Sequence, residues 1–206
     1  MQKISNNSLF HFRKATQITE SHCGPAVVQM LLGHLNIKVT QNVITKAAGA
    51  TRTISESGVR IDQMTRAITN LACEADLWYK AHASISDIQT LLLDYGLPVG
   101  VQWQGLFTDD EDEINDDTGH YSIVTRVDEE KQELIIADPY KDFAKQDRII
   151  TMQTFLKRWW DENEVRNSLS RKKYILHDDK LLFVVIPKSF TFPADLSMTP
   201  GSLYNS

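Results

Sequence analysis

The segment Cys23-Gly24-Pro25-Ala26-Val27-Val28-Gln29-Met30-Leu31-Leu32-Gly33-His34-Leu35 decides how this chain is read. Val27, Val28, Leu31, Leu32 and Leu35 recur at spacings of three and four, the period of one helix face. Proline pre-sets a first helical turn and disfavours helical geometry at the residue before it, so the helix is predicted to begin at or just after Pro25. That start leaves Cys23 at the helix mouth, where unpaired backbone N–H groups and the positive dipole end stabilise a thiolate. Gly24 is expected to leave room there for a substrate carbonyl. The alternative for Cys23 is a buried structural cysteine, because a free thiol often simply packs.

A thiolate nucleophile needs a base that hands a proton to the leaving group. His120 follows Gly119 at the start of a predicted strand in which Tyr121, Ile123, Thr125 and Val127 alternate as one face. Residues 134–137 read as a second strand across the polar turn 128–132, which makes a β-hairpin. The hairpin brings the neighbourhood of His120 to that of Asp138, just before Pro139, at cross-strand Cβ distances of about 5 Å. A carboxylate so placed fixes the tautomer and orientation of an imidazole. By itself, an aspartate before proline is more often a turn former. Gln17, six residues before Cys23, reads as a surface glutamine or as an amide that joins the Cys23 N–H in binding an oxyanion. His22 adjoins the nucleophile but has no orienting carboxylate in view.

Elsewhere the periodicity predicts a helix capped by Thr40 through about Ala48, and a third marked by Ile61, Met64, Ile68 and Leu71. The stretch 49–58 reads as a loop. Ser86 is the expected cap of a helix carrying Ile88, Leu91, Leu92 and Tyr95; Gly96 stops it, and Leu97-Pro98 open a strand through about Trp103. Thr151 is expected to cap a helix with Phe155, Leu156 and Trp159, and 181–186 reads as a buried strand ending at Pro187. Of Trp159 and Trp160, at least one is core, and Cys73 reads as packing. Helices first and an antiparallel sheet afterwards make the class α+β. The expected organisation is one domain over 1–187, followed by a tail or arm over 188–206 whose prolines, glycine and serines suit a loose end.

With 206 residues and 42% hydrophobic content, the chain is long enough to bury a full core. The net charge of −5 is uneven, because residues 109–117 hold seven acids in nine positions and the remainder is slightly positive. That balance argues against a nucleic-acid partner. The acidic run reads as a solvated loop near His120, without the spacing of a calcium loop. Two cysteines, Cys23 and Cys73, give no disulfide framework and suit a reducing compartment. Residues 1–14 lack the apolar core of a secretory signal, and no stretch approaches the roughly 20 apolar residues of a membrane span. The expectation is a cytoplasmic chain with no membrane segment, no cofactor and no metal.

Gln17 followed by Cys23-Gly24-Pro25-Ala26, then Gly119-His120-Tyr121-Ser122-Ile123-Val124, then Ile136-Ala137-Asp138-Pro139, resembles the peptidases that cut bacteriocin leader peptides after a double glycine. These C39-type enzymes are papain-like cysteine peptidases, with plant-type phytochelatin synthases as more distant relatives. The likeness continues through Gly96-Leu97-Pro98-Val99, Thr154-Phe155-Leu156 and Trp159. It implies a papain-like fold, the Cys-bearing helix packed on a C-terminal antiparallel sheet, and a peptide or protein substrate. Carried over by position, it makes Cys23 the nucleophile, His120 the base, Asp138 the orienting acid and Gln17 the oxyanion donor. The best-known members are fused to a membrane transporter, which is not expected here; the acidic run and the extension past Ile186 also depart from the family.

The leading expectation is hydrolysis of a peptide bond through a Cys23 thioester, in processing of a leader or precursor. Acyl or peptidyl transfer uses the same site with an amine in place of water. A peptide-binding module that had lost catalysis would be expected to lack one of Cys23, His120 or Asp138, and all three are present. A secreted or injected effector acting on host proteins is a third reading.

Overall fold

The computed structural model describes residues 13–71, 74–107, 119–166 and 172–204. The first four helices are α1 (Cys23–His34), α2 (Gln41–Ala47), α3 (Ile54–Ser57) and α4 (Ile61–Asn70). The chain continues through β1 (Ala75–Lys80), α5 (Ile85–Leu93), β2 (Val99–Gln104), β3 (Gly119–Asp128), β4 (Glu133–Ala137) and β5 (Arg148–Thr151). It ends with α6 (Met152–Arg158), β6 (Trp160–Arg166), β7 (Lys173–Asp179), β8 (Leu182–Pro187) and the short β9 (Thr199–Pro200). Seven strands form one antiparallel sheet in the order β5-β4-β3-β2-β8-β1-β9, and β6 pairs with β7 as a separate ribbon.

The α+β class is as expected, but the sheet draws strands from both halves of the chain. One face packs on α1, α2 and α4 through Val27, Leu31, Ile44, Met64 and Ile68. The other packs on α5 and α6 through Ile88, Leu91, Phe155 and Trp159. Among the described residues no helix is long and apolar enough to cross a membrane.

Helix α1 begins two residues earlier than Pro25 predicts. Pro25 is its third residue, where a missing N–H is harmless because the first turn has no intrahelical acceptors. The first intrahelical bond runs from Ala26 N–H to the His22 carbonyl at 3.0 Å. Val27, Val28, Met30, Leu31 and Leu32 are almost wholly buried. At about 1.5–3 kcal/mol each, their burial outweighs the roughly 1 kcal/mol lost at each of Gly24 and Gly33.

Other departures have local causes. The cap of α5 is Ser84, which bonds the Asp87 N–H while Asp87 bonds back, so the helix starts a residue before Ser86. The 49–58 loop holds the single turn α3. Strand β1 has no expected counterpart because Asp76 and Lys80 within it blur the alternation, although Ala75 and Leu77 are buried. Strands β5, β6 and β7 are likewise additions. Thr151 caps α6 as expected, accepting from the Thr154 N–H at 3.1 Å. Cys73 and the acidic run 109–117 lie outside the described residues.

The C-terminal segment is not a loose end. Strand β9 pairs with β1, Phe192 packs edge-on against Trp78 at 5.7 Å, and Tyr204 packs edge-on against Tyr79 at 5.1 Å. Gly201 is buried, and a Cβ there would lie 3.0 Å from the Leu77 carbonyl oxygen and collide with the Thr65 hydroxyl. Gly201→Ala is expected to cost about 1–3 kcal/mol, lowering the thermal midpoint by roughly 3–10 °C in a calorimetric scan. An unchanged midpoint would show that the segment does not dock.

Candidate active site

Cys23 is the first residue of α1, 7% exposed and packed among core residues of the helical face. It is near enough to the His120 imidazole to help hold that ring's pKa up. His120 Nε2 lies 2.8 Å from Asp138 Oδ1, with both side chains almost fully buried. Phe107 and Trp103 flank the ring at centroid distances of 5.1 and 6.4 Å, which shields the His120–Asp138 bond from water.

A β-bulge sets this contact. Near the turn, Asp128 pairs with Glu133 and Val127 with Leu134; beyond a shift between Val124 and Arg126, Val124 pairs with Ile136 and Ile123 with Ala137. Continued without the shift, the turn register would set Ile123 opposite Asp138 and leave His120 on the other face of the sheet. The extra residue restores His120 and Asp138 to one face. Thr125 sits at the bulge and its hydroxyl donates to the Ile135 carbonyl at 3.1 Å. The bulge also means that Tyr121, Ile123 and Val127 do not share one face: Tyr121 and Ile123 join the α1 core, and Val127 packs on the opposite one.

The electrostatics follow from burial and neighbours. Burial alone would push the His120 imidazole down, but the charge and hydrogen bond of Asp138 and the adjacent Cys23 hold it up at about 10. Burial would push Asp138 up, but His120, the Tyr140 N–H at 2.9 Å and the Arg148 guanidinium hold it down at about 2. His120 is thus held as an imidazolium at neutral pH.

A cleft of about 330 Å³ opens beside Cys23, lined among others by Glu20, Glu56, Gly58, Tyr121, Asp161 and Glu162. Asp161, on β6, is buried and accepts from the side-chain amides of Gln102 and Gln104 on β2. Asn163 bonds both Asp161 and Asp178 at 3.3 Å, and the Tyr204 hydroxyl donates to Asp178 at 2.5 Å. These polar contacts fasten the β6–β7 ribbon against the cleft.

A family model described as the Peptidase_C39 like family matches residues 10–165. The chain belongs to this family. No curated protein sequence matches it. Solved structures share its fold, and two of them come from transporters. One is the peptidase domain of Streptococcus ComA, a bi-functional ABC transporter involved in a quorum-sensing pathway. It is 17% identical with a TM-score of 0.58, covering 86% of this chain and 99% of that one. The other is a double-glycine-motif protease from an AMS/PCAT transporter, solved in complex with the leader peptide. It is 13% identical with a TM-score of 0.54, covering 91% and 99%. The large antiparallel sheet with flanking helices is the papain-like arrangement of C39 peptidase domains.

In this C39-like chain the remaining sequence candidates occupy defined places. Gln17 is buried; its Nε2 donates to the Thr19 and Glu20 carbonyls at 3.0 and 2.9 Å, and its backbone N–H to the Pro139 carbonyl at 2.9 Å. The amide therefore shapes the turn before α1, with its hydrogens directed at backbone rather than at an open site. His22 Nδ1 shares a 2.5 Å hydrogen bond with the Thr19 hydroxyl. Burial pushes that imidazole down. Gly24 faces inward, where a Cβ would lie 2.8 Å from Met64 Cε and 3.1 Å from the Val59 carbonyl oxygen, so its small size serves packing rather than substrate. Sequence reasoning missed Arg148, whose Nη1 donates to Asp138 Oδ2 at 2.6 Å. The sequence Arg148-Ile149-Ile150 carries no alternation to signal it; in the structure Arg148 shares the inward face of β5 with buried Ile150. Among the described residues no group of three or more His, Cys, Asp or Glu is arranged to hold a metal.

The two shifts define a pH window. Asp138, held below its ordinary 3.8, contributes stability above that value and loses it as pH falls through about 2. His120, held above its ordinary 6.5, contributes fully below that value and loses it as pH rises through about 10. In urea denaturation, Asp138→Asn is expected to be less stable than the parent by about 3–5 kcal/mol between these ordinary values. The gap narrows toward either extreme, and a pH-independent difference would contradict the assignment.

Proposed function

We propose that this chain is a cysteine peptidase with a Cys23-His120-Asp138 triad. The observation that carries the reading is the buried His120 ring, bonded to the Asp138 carboxylate and near the thiol at the helix mouth. Cys23 Sγ attacks the scissile carbonyl carbon, and the imidazolium passes its proton to the departing amine, leaving a thioester. Water, deprotonated by His120, then attacks the thioester and releases a carboxylic acid and the free thiol. The backbone N–H groups that open α1 receive the oxyanion in this mechanism. Gln17 joins them as a donor by exchanging one of its carbonyl partners when substrate enters.

The substrate is a peptide segment, with leader or precursor processing as the fitting task. The PCAT relative was solved with a leader peptide, and the family match extends that likeness to this chain. In the proposed reaction Cys23→Ser and His120→Ala each abolish peptide cleavage. The direct test is intact-mass analysis after iodoacetamide or an epoxide inhibitor at neutral pH. Rapid labelling of Cys23 that disappears in His120→Ala is expected; labelling at the rate of an ordinary thiol in both proteins sinks the reading.

The acidic lining of the cleft adds a preference. Glu20, Glu56, Asp161 and Glu162 favour a basic residue next to the scissile bond. Glu20 and Glu162 already face Lys141 and His177, at 3.3 and 3.4 Å, so Glu56 is the position to alter. Glu56→Gln is expected to raise KM for a lysine-bearing peptide roughly two- to fivefold, the size of one exposed ion pair. The effect should fade as salt is added, and an equal change for a neutral peptide would refute it.

A further inference from the structure

The triad accounts for one oxygen of Asp138 and leaves the other to Arg148. His120 Nε2 and the Tyr140 N–H both bond Oδ1, so neither restrains Oδ2. The terminal torsion of an aspartate is broad, and two donors on one oxygen do not define the carboxylate plane. Arg148 supplies the donor to Oδ2 at 2.6 Å. It lies opposite Ile136 on β4, which places it on the sheet face that carries Asp138. Its guanidinium is itself fixed: Nη2 donates to the Leu106 carbonyl, and its centre lies 3.6 Å from the Phe143 ring centroid and 5.7 Å from that of Trp103.

We propose that Arg148 is the positioning residue of the Asp138 carboxylate, turning Oδ1 toward His120 and pairing with its buried charge. The inference rests on the cysteine-peptidase reading above. The Asp138 carboxylate is nearly inaccessible to water, and a buried charge is costly unless it is paired and hydrogen-bonded, which the guanidinium provides at Oδ2. The fork geometry allows one side chain to hold both the carboxylate and the Leu106 carbonyl, which a lysine cannot span. The contact with Leu106 also anchors the segment leading to Phe107, whose ring stands edge-on to His120.

The test is the pH dependence of iodoacetamide labelling of Cys23, read by intact mass in the parent, Arg148→Met, Arg148→Gln, Arg148→Lys and His120→Ala. Without the guanidinium, Asp138 takes a proton more readily and the thiolate–imidazolium pair loses a positive neighbour. Both changes move the low-pH limb upward. In Arg148→Met and Arg148→Gln the limb is expected to rise by about one unit, or about tenfold slower labelling at a fixed pH below it. Arg148→Lys, which keeps the charge without the fork, falls between the parent and Arg148→Gln. If Arg148→Met does not fold, Arg148→Gln carries the test, since it keeps a donor to Oδ2. A profile that superimposes on the parent, or one slowed equally at every pH, overturns the proposal. Parent labelling no faster than His120→Ala would instead strike the triad reading itself.

Discussion

The Asp138 carboxylate is the buried charge on which the end of the sheet depends. Three donors from three directions meet it: the His120 imidazole, the Tyr140 backbone N–H and the Arg148 guanidinium. Such a charge is tolerable inside a protein only when its lone pairs are satisfied, so β3, β4 and β5 must keep the register that delivers those donors. The bulge between Val124 and Arg126 exists in this context: it restores His120 to the face of Asp138 after the turn has set the opposite parity. A local irregularity in one ladder thus determines whether an imidazole and a carboxylate meet.

A second set of buried polar contacts shapes the cleft beside the thiol. Asp161 is held by Gln102 and Gln104, and Asp178 by Asn163 and Tyr204. A two-stranded ribbon is marginal by itself. Here its attachment comes from carboxylates satisfied by amides and a phenol rather than from a large apolar face. The C-terminal segment takes part through Tyr204, so an element that looks dispensable in sequence helps to fix one wall of the cleft.

Much of the site was legible before the fold. Pro25 and the spacing from Val27 to Leu35 marked the helix and put Cys23 at its mouth; the polar turn 128–132 marked the hairpin that carries His120 and Asp138. The actual start of α1 at Cys23 differs because proline at a third helical position costs no hydrogen bond. Strand β1 was missed because charged residues interrupt its pattern, and the packed tail because serines and prolines describe composition, not contacts. Gln17 was placed near the right turn, yet its amide hydrogens are directed at the Thr19 and Glu20 carbonyls.

The sequence by itself determined the helix that presents Cys23, the existence of the hairpin and the α+β class, because these follow from local propensity and hydrophobic period. Only the tertiary structure decided which face His120 and Asp138 share, that Arg148 reaches the second carboxylate oxygen, and that Asp161 and Tyr204 close around the cleft. Those outcomes depend on ladder register and on partners up to 59 positions apart, as between Gln102 and Asp161. A single bulged residue inverts side-chain parity without leaving a hydrophobic signature, and a buried ion pair is recognisable only when both partners are seen together.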